Sequence, residues 1–371
     1  MKHYLLCTLI LIICCSACSS SFPEYTLDSE YIGYKDTTSS EITGIGNECY
    51  FADTNSFLYY MNNSFRPLKL TSLLYVDDKP AGQTSANTFS RYSDLWQDDL
   101  YFYGDRLYYM SCTLTVEQDL RYYLNSLNKK GEDRKRLMEI PYVPVSYILQ
   151  KGKLVIIEEG DSSRIHIYNQ SCKEIKVIET DAQFAKMYVC NEKIYMTGFE
   201  DQSRCTYVLN LDDLSISSLE NHEIFIMADE KRYLCRTLDR SFDQVESPED
   251  VTHTYTIYDL ITNQSLFSIT DEIISFFDDS YVYTTVLKEE KTIYRIYDYD
   301  KNLIREIIPS DFIEADSATN VLMMNKDFDQ ILRIVHNEII TRFYNGYNYS
   351  WVKCSVDDGM CEVFLEEEFY E

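Results

Sequence analysis

Residues 146–169 read SYILQKGKLVIIEEGDSSRIHIYN. Short runs of β-branched and aromatic residues are broken at Lys151-Gly152, where glycine permits the positive φ of a tight hairpin. The run resumes around Val155 and breaks again, and a third run ends at the polar Asn169. Outward from this stretch the same plan recurs. The turns are Gly46-Asn47-Glu48, Gly104-Asp105, Lys151-Gly152, Asn191-Glu192, Asp229-Glu230, Asp278-Asp279 and His336-Asn337-Glu338. The second runs centre on Tyr50, Tyr108, Val155, Tyr195, Tyr233, Val282 and Ile340. A third run then ends at Asn62, Asn125, Asn169, Asn210, Asp259, Asp298 and, in the seventh unit, Cys354. Tyrosine occurs 33 times against 11 glycines and 7 prolines, and helical periodicity is nearly absent, so strands are expected throughout.

Two hairpins per unit, repeated seven times at spacings near 40 to 50 residues, predict an all-β chain folded as a β-propeller of seven four-stranded blades. Counts of six or eight stay open, because the insertions near 71–98 and 309–330 hold apolar runs of their own. A two-sheet sandwich is the structural alternative, but it gives no reason for a sevenfold pair of hairpins. The last hairpins of the units, such as Ile296-Tyr297-Asp298 with Tyr299 to Asn302 as the turn, resemble those of TolB-like and related lipoprotein propellers. That resemblance implies a propeller over 41–371 and an envelope scaffold with a protein partner. Residues Tyr25 to Tyr34 are a candidate outer strand that helps to close the ring.

The chain starts with one cation, Lys2, and an apolar run of 12 residues from Tyr4 to Cys15. A membrane span needs about 20 apolar residues, so the run reads as a secretory signal. The junction Cys15-Ser16-Ala17-Cys18 resembles the bacterial lipobox, with Cys15 where an aliphatic residue is usual. The resemblance implies a signal peptide at 1–17, diacylglycerol and further acyl chains such as palmitate on Cys18, and a tether over 18–40. Two or more chains are needed for stable anchoring at about 0.8 kcal/mol per buried methylene. The expected location is therefore a bacterial membrane surface outside the cytoplasm.

The formal charge of −27 becomes one unit more negative once Lys2 leaves with the signal. Such a surface repels phosphate backbones, which argues against nucleic acid as a partner. Cysteines 49, 112, 172, 190, 205, 235, 354 and 361 remain beyond Cys18, and free thiols are expected to outnumber disulfides because the chain is long enough to bury a core. The candidate pair is Cys354 with Cys361. They face each other if the turn centre lies between Asp357 and Asp358, and are separated if Gly359 sits in a bulge.

Long insertions at 71–98, 111–120, 236–253 and 309–330 all follow second or fourth strands, which places them on one face of a propeller. Recognition is assigned to that face. Its candidate binding residues are Arg91, Tyr92, Asp94 and Trp96, with Tyr344, Tyr347 and Trp351 from the last unit, since aromatics beside carboxylates suit a sugar ring or a peptide. Each aromatic alone is better explained by packing its own loop onto the blades, although the face as a whole is not.

No nucleophile elbow, phosphate-binding glycine loop or paired Cys-x-x-Cys set occurs in the mature chain. Neither does the Ser-x-Asp-x-Gly-x-Thr-Trp box of sialidase propellers. His222-Glu223 starts like a zinc-protease helix but meets Ile226 at the second histidine position. Asp298, Asp300 and Asn302 have calcium-loop spacing, with Leu303 and Pro309 where glycine and glutamate are required. No catalytic residue, metal or cofactor is therefore expected. The sequence reads as a monomeric, non-enzymatic envelope lipoprotein binding a protein, peptide or glycan, with a glycosidase-like enzyme using channel carboxylates as the alternative.

Overall fold

The computed structural model describes residues 42–45, 48–53, 57–62, 64–73, 75–76, 79–80, 100–114, 120–190, 192–201, 203–219, 224–229, 231–239, 251–288, 291–312, 331–344 and 349–367. Seven four-stranded sheets follow one another along the chain, each an antiparallel meander in which every strand pairs with the next. They are the blades of a β-propeller, spanning 42–72, 101–140, 144–179, 183–218, 224–270, 273–307 and 333–366. The insertion after blade 1 adds a two-stranded hairpin, Tyr75–Val76 with Lys79–Pro80, and the one after blade 6 a short 3-10 turn, Pro309–Asp311. Neither forms an eighth blade among the described residues.

Burial falls from the inner strands outward. In blade 3, Pro144–Gln150 and Lys153–Glu158 are almost wholly buried, whereas the outermost Glu174–Glu179 is exposed or half-buried along its length. Both faces of an inner strand pack against neighbouring blades, which explains near-continuous runs such as Leu154-Val155-Ile156-Ile157 in place of strict alternation. First strands of successive blades lie side by side, as in blades 3, 4 and 5. In blades 3 to 6 that strand carries a bulge, at Val145, Ala185, Ile226 and Ser275. An unpaired residue sharpens the local twist and re-aims its neighbours.

The polar residue ending each third strand has a definite task. Asn169 Oδ1 accepts the backbone N–H groups of Ser171 and Lys173 at 3.0 and 3.1 Å, Asp298 accepts that of Asn302, and Asp259 those of Ile261 and Thr262. A left-handed residue follows three or four positions on: Phe65, Gly131, Cys172, Leu214, Asn263, Lys301 and Gly359. Two units are corrected by this geometry. Asn125 is buried within its strand, Leu120–Asn128, and Asn128 caps the turn. In blade 7 the turn residue is Ser355, whose N–H donates to the Met360 carbonyl, rather than Cys354. The turn centre thus falls between Asp357 and Asp358, Cys354 opposes Cys361 in register, and the two are joined as a disulfide. Cys49, Cys172, Cys190 and Cys205 carry free thiols.

The ring closes by side-chain packing. Blades 1 and 7 come from opposite ends of the described chain, and among the described residues neither lends a strand to the other. Phe51 of blade 1 lies 4.3 Å, centroid to centroid, from Trp351 of blade 7, within a shared core of Ile42, Met61, Val335 and Ile340. Trp351 is fully buried and donates from Nε1 to Glu367 at 2.9 Å. It therefore belongs to this seam and is removed from the exposed binding residues. Its position in the third strand of the last blade, Tyr349–Ser355, puts its ring between blades, a placement that a loop aromatic does not share.

Candidate functional site

Connections between first and second and between third and fourth strands never exceed six residues. Those at the other end include 73–100, 239–252 and 308–332, so the long connections do share one end of the propeller. The 111–120 insertion is shorter than its sequence suggests, because the strands Arg106–Leu114 and Leu120–Asn128 run on into it. Arg91, Tyr92, Asp94, Trp96, Tyr347, Cys18 and the 25–34 stretch lie outside the described residues. Tyr344 ends the strand Glu338–Tyr344, with its backbone paired to Tyr349.

The described residues form a pocket of about 310 Å³ at this same end, where blades 4, 5 and 6 meet. Ala185, Lys186 and Tyr188 come from the first strand of blade 4, Gln183–Cys190; Phe225 and Ile226 from that of blade 5, Ile224–Ala228; Ile273 and Ile274 from that of blade 6, Ile273–Phe277. Thr197, Gly198 and Phe199 line it from Lys193–Glu200, Arg204 and Cys205 from Ser203–Asn210, Arg236 from Arg232–Leu238 and Tyr255 from His253–Asp259.

Local backbone chemistry shapes this site. The bulge at Ala185 brings the blade 4 inner strand against Gly198, where a Cβ would overlap the Gln183 carbonyl, so only glycine fits. Arg204 and Phe199 are cross-strand partners, and the guanidinium sits 5.3 Å from the Phe199 ring centroid. Arg236 pairs across the strand with Tyr255. Phe225 stacks on Tyr195 at 4.2 Å and forms part of the apolar wall.

Three cations, Lys186, Arg204 and Arg236, therefore converge in a chain with 61 acidic residues, and no acidic side chain is among the described lining residues. Their mutual field is visible in the neighbours. Burial and then Arg236 push the Arg204 pKa down, and burial with Arg236 and Arg204 lowers that of nearby His253 against the opposing pull of Asp239 and Asp271. The buried Nε of Arg236 has no hydrogen-bond partner. Burial pushes the Cys205 thiol up to about 11, which makes it a poor nucleophile. Among the described residues no group of three metal-ligating side chains is found.

None of these pocket residues stands out in the sequence. The one signal it offers is that Arg204 and Arg236 each lie within three residues of a second-to-third-strand connection in successive repeats.

No family model matches the chain, and no curated protein does. Solved structures do resemble it. The β-propeller domain of the Trilobed protease from Pyrococcus furiosus, reported to have an open velcro topology, aligns with TM-score 0.51 and 11% identity over 74% of this chain and 84% of that one. A prolyl endopeptidase aligns with TM-score 0.53 and 10% identity over 93% of this chain and 52% of that one. Prolyl oligopeptidase B from Galerina marginata gives 0.51 and 10% over 90% and 52%. This chain thus spans about half the length of these two peptidases. At such identity the likeness extends to architecture alone: what this chain shares with them is the β-propeller.

Proposed function

We propose that the protein is an exported β-propeller, anchored by lipid on Cys18, that binds a ligand through its long-loop face and performs no bond-making chemistry there. The observation that carries the binding reading is the cationic, aromatic-walled pocket at that face. Its described lining offers no carboxylate or imidazole as general base, and its thiol is held protonated by burial. The glycosidase alternative needs two carboxyl groups roughly 5 to 10 Å apart lining the central channel, a different place from this pocket. The anchor rests on the signal-like first residues and the Cys15-Ser16-Ala17-Cys18 junction.

Labelled palmitate fed to a bacterium producing the full chain tests the anchor: the wild type incorporates label into the membrane fraction and Cys18→Ala does not. Unlabelled wild-type protein ends the anchor reading. Pull-down from envelope extracts tests the face, with retention expected to fall when 71–98 is deleted. Retention unchanged by that deletion and by Arg236→Gln would remove recognition from this end.

A further inference from the structure

We propose that the pocket between blades 4, 5 and 6 is a receptor for a small organic anion, a carboxylate or phosphate head group on a flat apolar body. This deepens the binding reading above and rests on it for the choice of face.

The head group is assigned by charge. Lys186, Arg204 and Arg236 come from three different strands in two blades, so no local run of basic sequence forces them together; the tertiary fold brings them to one wall. Guanidinium groups present paired donors that match carboxylate and phosphate oxygens. Arg236 retains a buried Nε–H without an acceptor. Arg236 as a whole is only half-buried and lines the wall, so an anion in the pocket would meet its guanidinium group.

The body is assigned by the remaining walls. Tyr188, Phe199, Phe225 and Tyr255 give aromatic surface, and Ile226, Ile273 and Ile274 complete an apolar floor from the inner strands. A volume of about 310 Å³ is at the small end of ligand pockets, which run roughly from 300 to 1,000 Å³, so the site takes a small molecule or one terminal residue of a longer one. The surrounding acidity adds selectivity. A bulk field that repels anions is overcome only by the short-range contacts of this pocket.

Calorimetric titration of the full chain with four phenyl probes tests the assignment: benzoate, phenyl phosphate, neutral benzamide and cationic benzylamine. At least one anion is expected to bind, with benzamide about tenfold weaker or more and benzylamine silent. Tighter binding of phenyl phosphate marks a phosphate ligand, and tighter binding of benzoate a carboxylate. Arg236→Gln should weaken the preferred anion by about tenfold, Arg236→Lys should restore part of it, and Lys231→Gln at the opposite end should leave it unchanged. An unchanged melting temperature in Arg236→Gln separates lost binding from lost fold. Equal binding of benzamide and benzoate, no binding by either anion, or wild-type affinity in both Arg236→Gln and Arg204→Gln overturns the proposal. Envelope retention that survives such a failure leaves the long-loop reading standing and removes only the anion.

Discussion

The two ends of the propeller are built on different rules. At the short-turn end every blade repeats one device, a polar residue closing a short turn with one left-handed position, and adjacent blades are tied by ion pairs. Lys151 of blade 3 meets Glu192 of blade 4, and Arg232 of blade 5 reaches Asp279 and the Asp278 carbonyl of blade 6. At the long-loop end the connections differ in length from blade to blade, three cations share a pocket whose described lining holds no carboxylate, and the buried Asp53 carboxyl is raised above its ordinary pKa. Polar satisfaction alone does not divide them, since Arg305 Nε lacks a partner and burial raises Glu338 at the short-turn end as well; inter-blade ion pairs at one end, against variable connections around a pocket at the other, separate a stabilising end from a binding end.

Arg232→Ala should give the largest effect. This buried guanidinium donates to Asp229, the Asp278 carbonyl and the Tyr299 hydroxyl, and its loss strands partners on two blades. Removing one member of a buried pair costs about 3–5 kcal/mol, and the exposure of Asp279 brings the expectation to about 3 kcal/mol in denaturant unfolding. A loss below about 1 kcal/mol would mean that this end is not the stabilising one.

Asp53→Asn probes the other end. Burial raises the Asp53 carboxyl to about 6 and Glu367 adds to the shift, while the Phe57 N–H, the Tyr59 hydroxyl and Lys69 oppose it. A folded pKa above the unfolded value gives stability that is complete below pH 3.8 and is lost as pH rises through about 6. Stability measured from pH 4 to 8 should therefore fall by about 2 kcal/mol more in the wild type than in Asp53→Asn. Parallel pH profiles would show that the site carries no such strain.

Asn169→Ala gives the smallest effect, about 1 kcal/mol, because two turn N–H groups lose their acceptor but can reach water. Equivalent substitutions at Asn128 and Asp298 should cost the same within a few tenths of a kcal/mol if the seven turns are one device. A spread wider than the mean would break the sevenfold equivalence.

The repeat was legible because hairpins are local. Lys151-Gly152 and Asp298 to Asn302 state their turns within a few residues, and strand register follows from the turn. Misplacement arose where register depends on more than the turn. Asn125 and Cys354 have the right residue character one to three positions early, and the bulges that shift partners are silent in hydrophobic spacing. Trp351 shows the limit for sites: its aromatic character suits a binding loop and a blade seam equally, and only its contact with Phe51 decides between them.

By itself the sequence determined the all-β class, the seven units and the end of the blades at which long connections emerge, since each follows from contacts between neighbours in the chain. The tertiary structure alone decided how the ring closes and where its cations meet. Phe51 and Trp351, or Arg236 and the Lys186 and Arg204 of the preceding blade, are brought together by the stacking of separate blades, and no local pattern encodes a distance between strands that never pair.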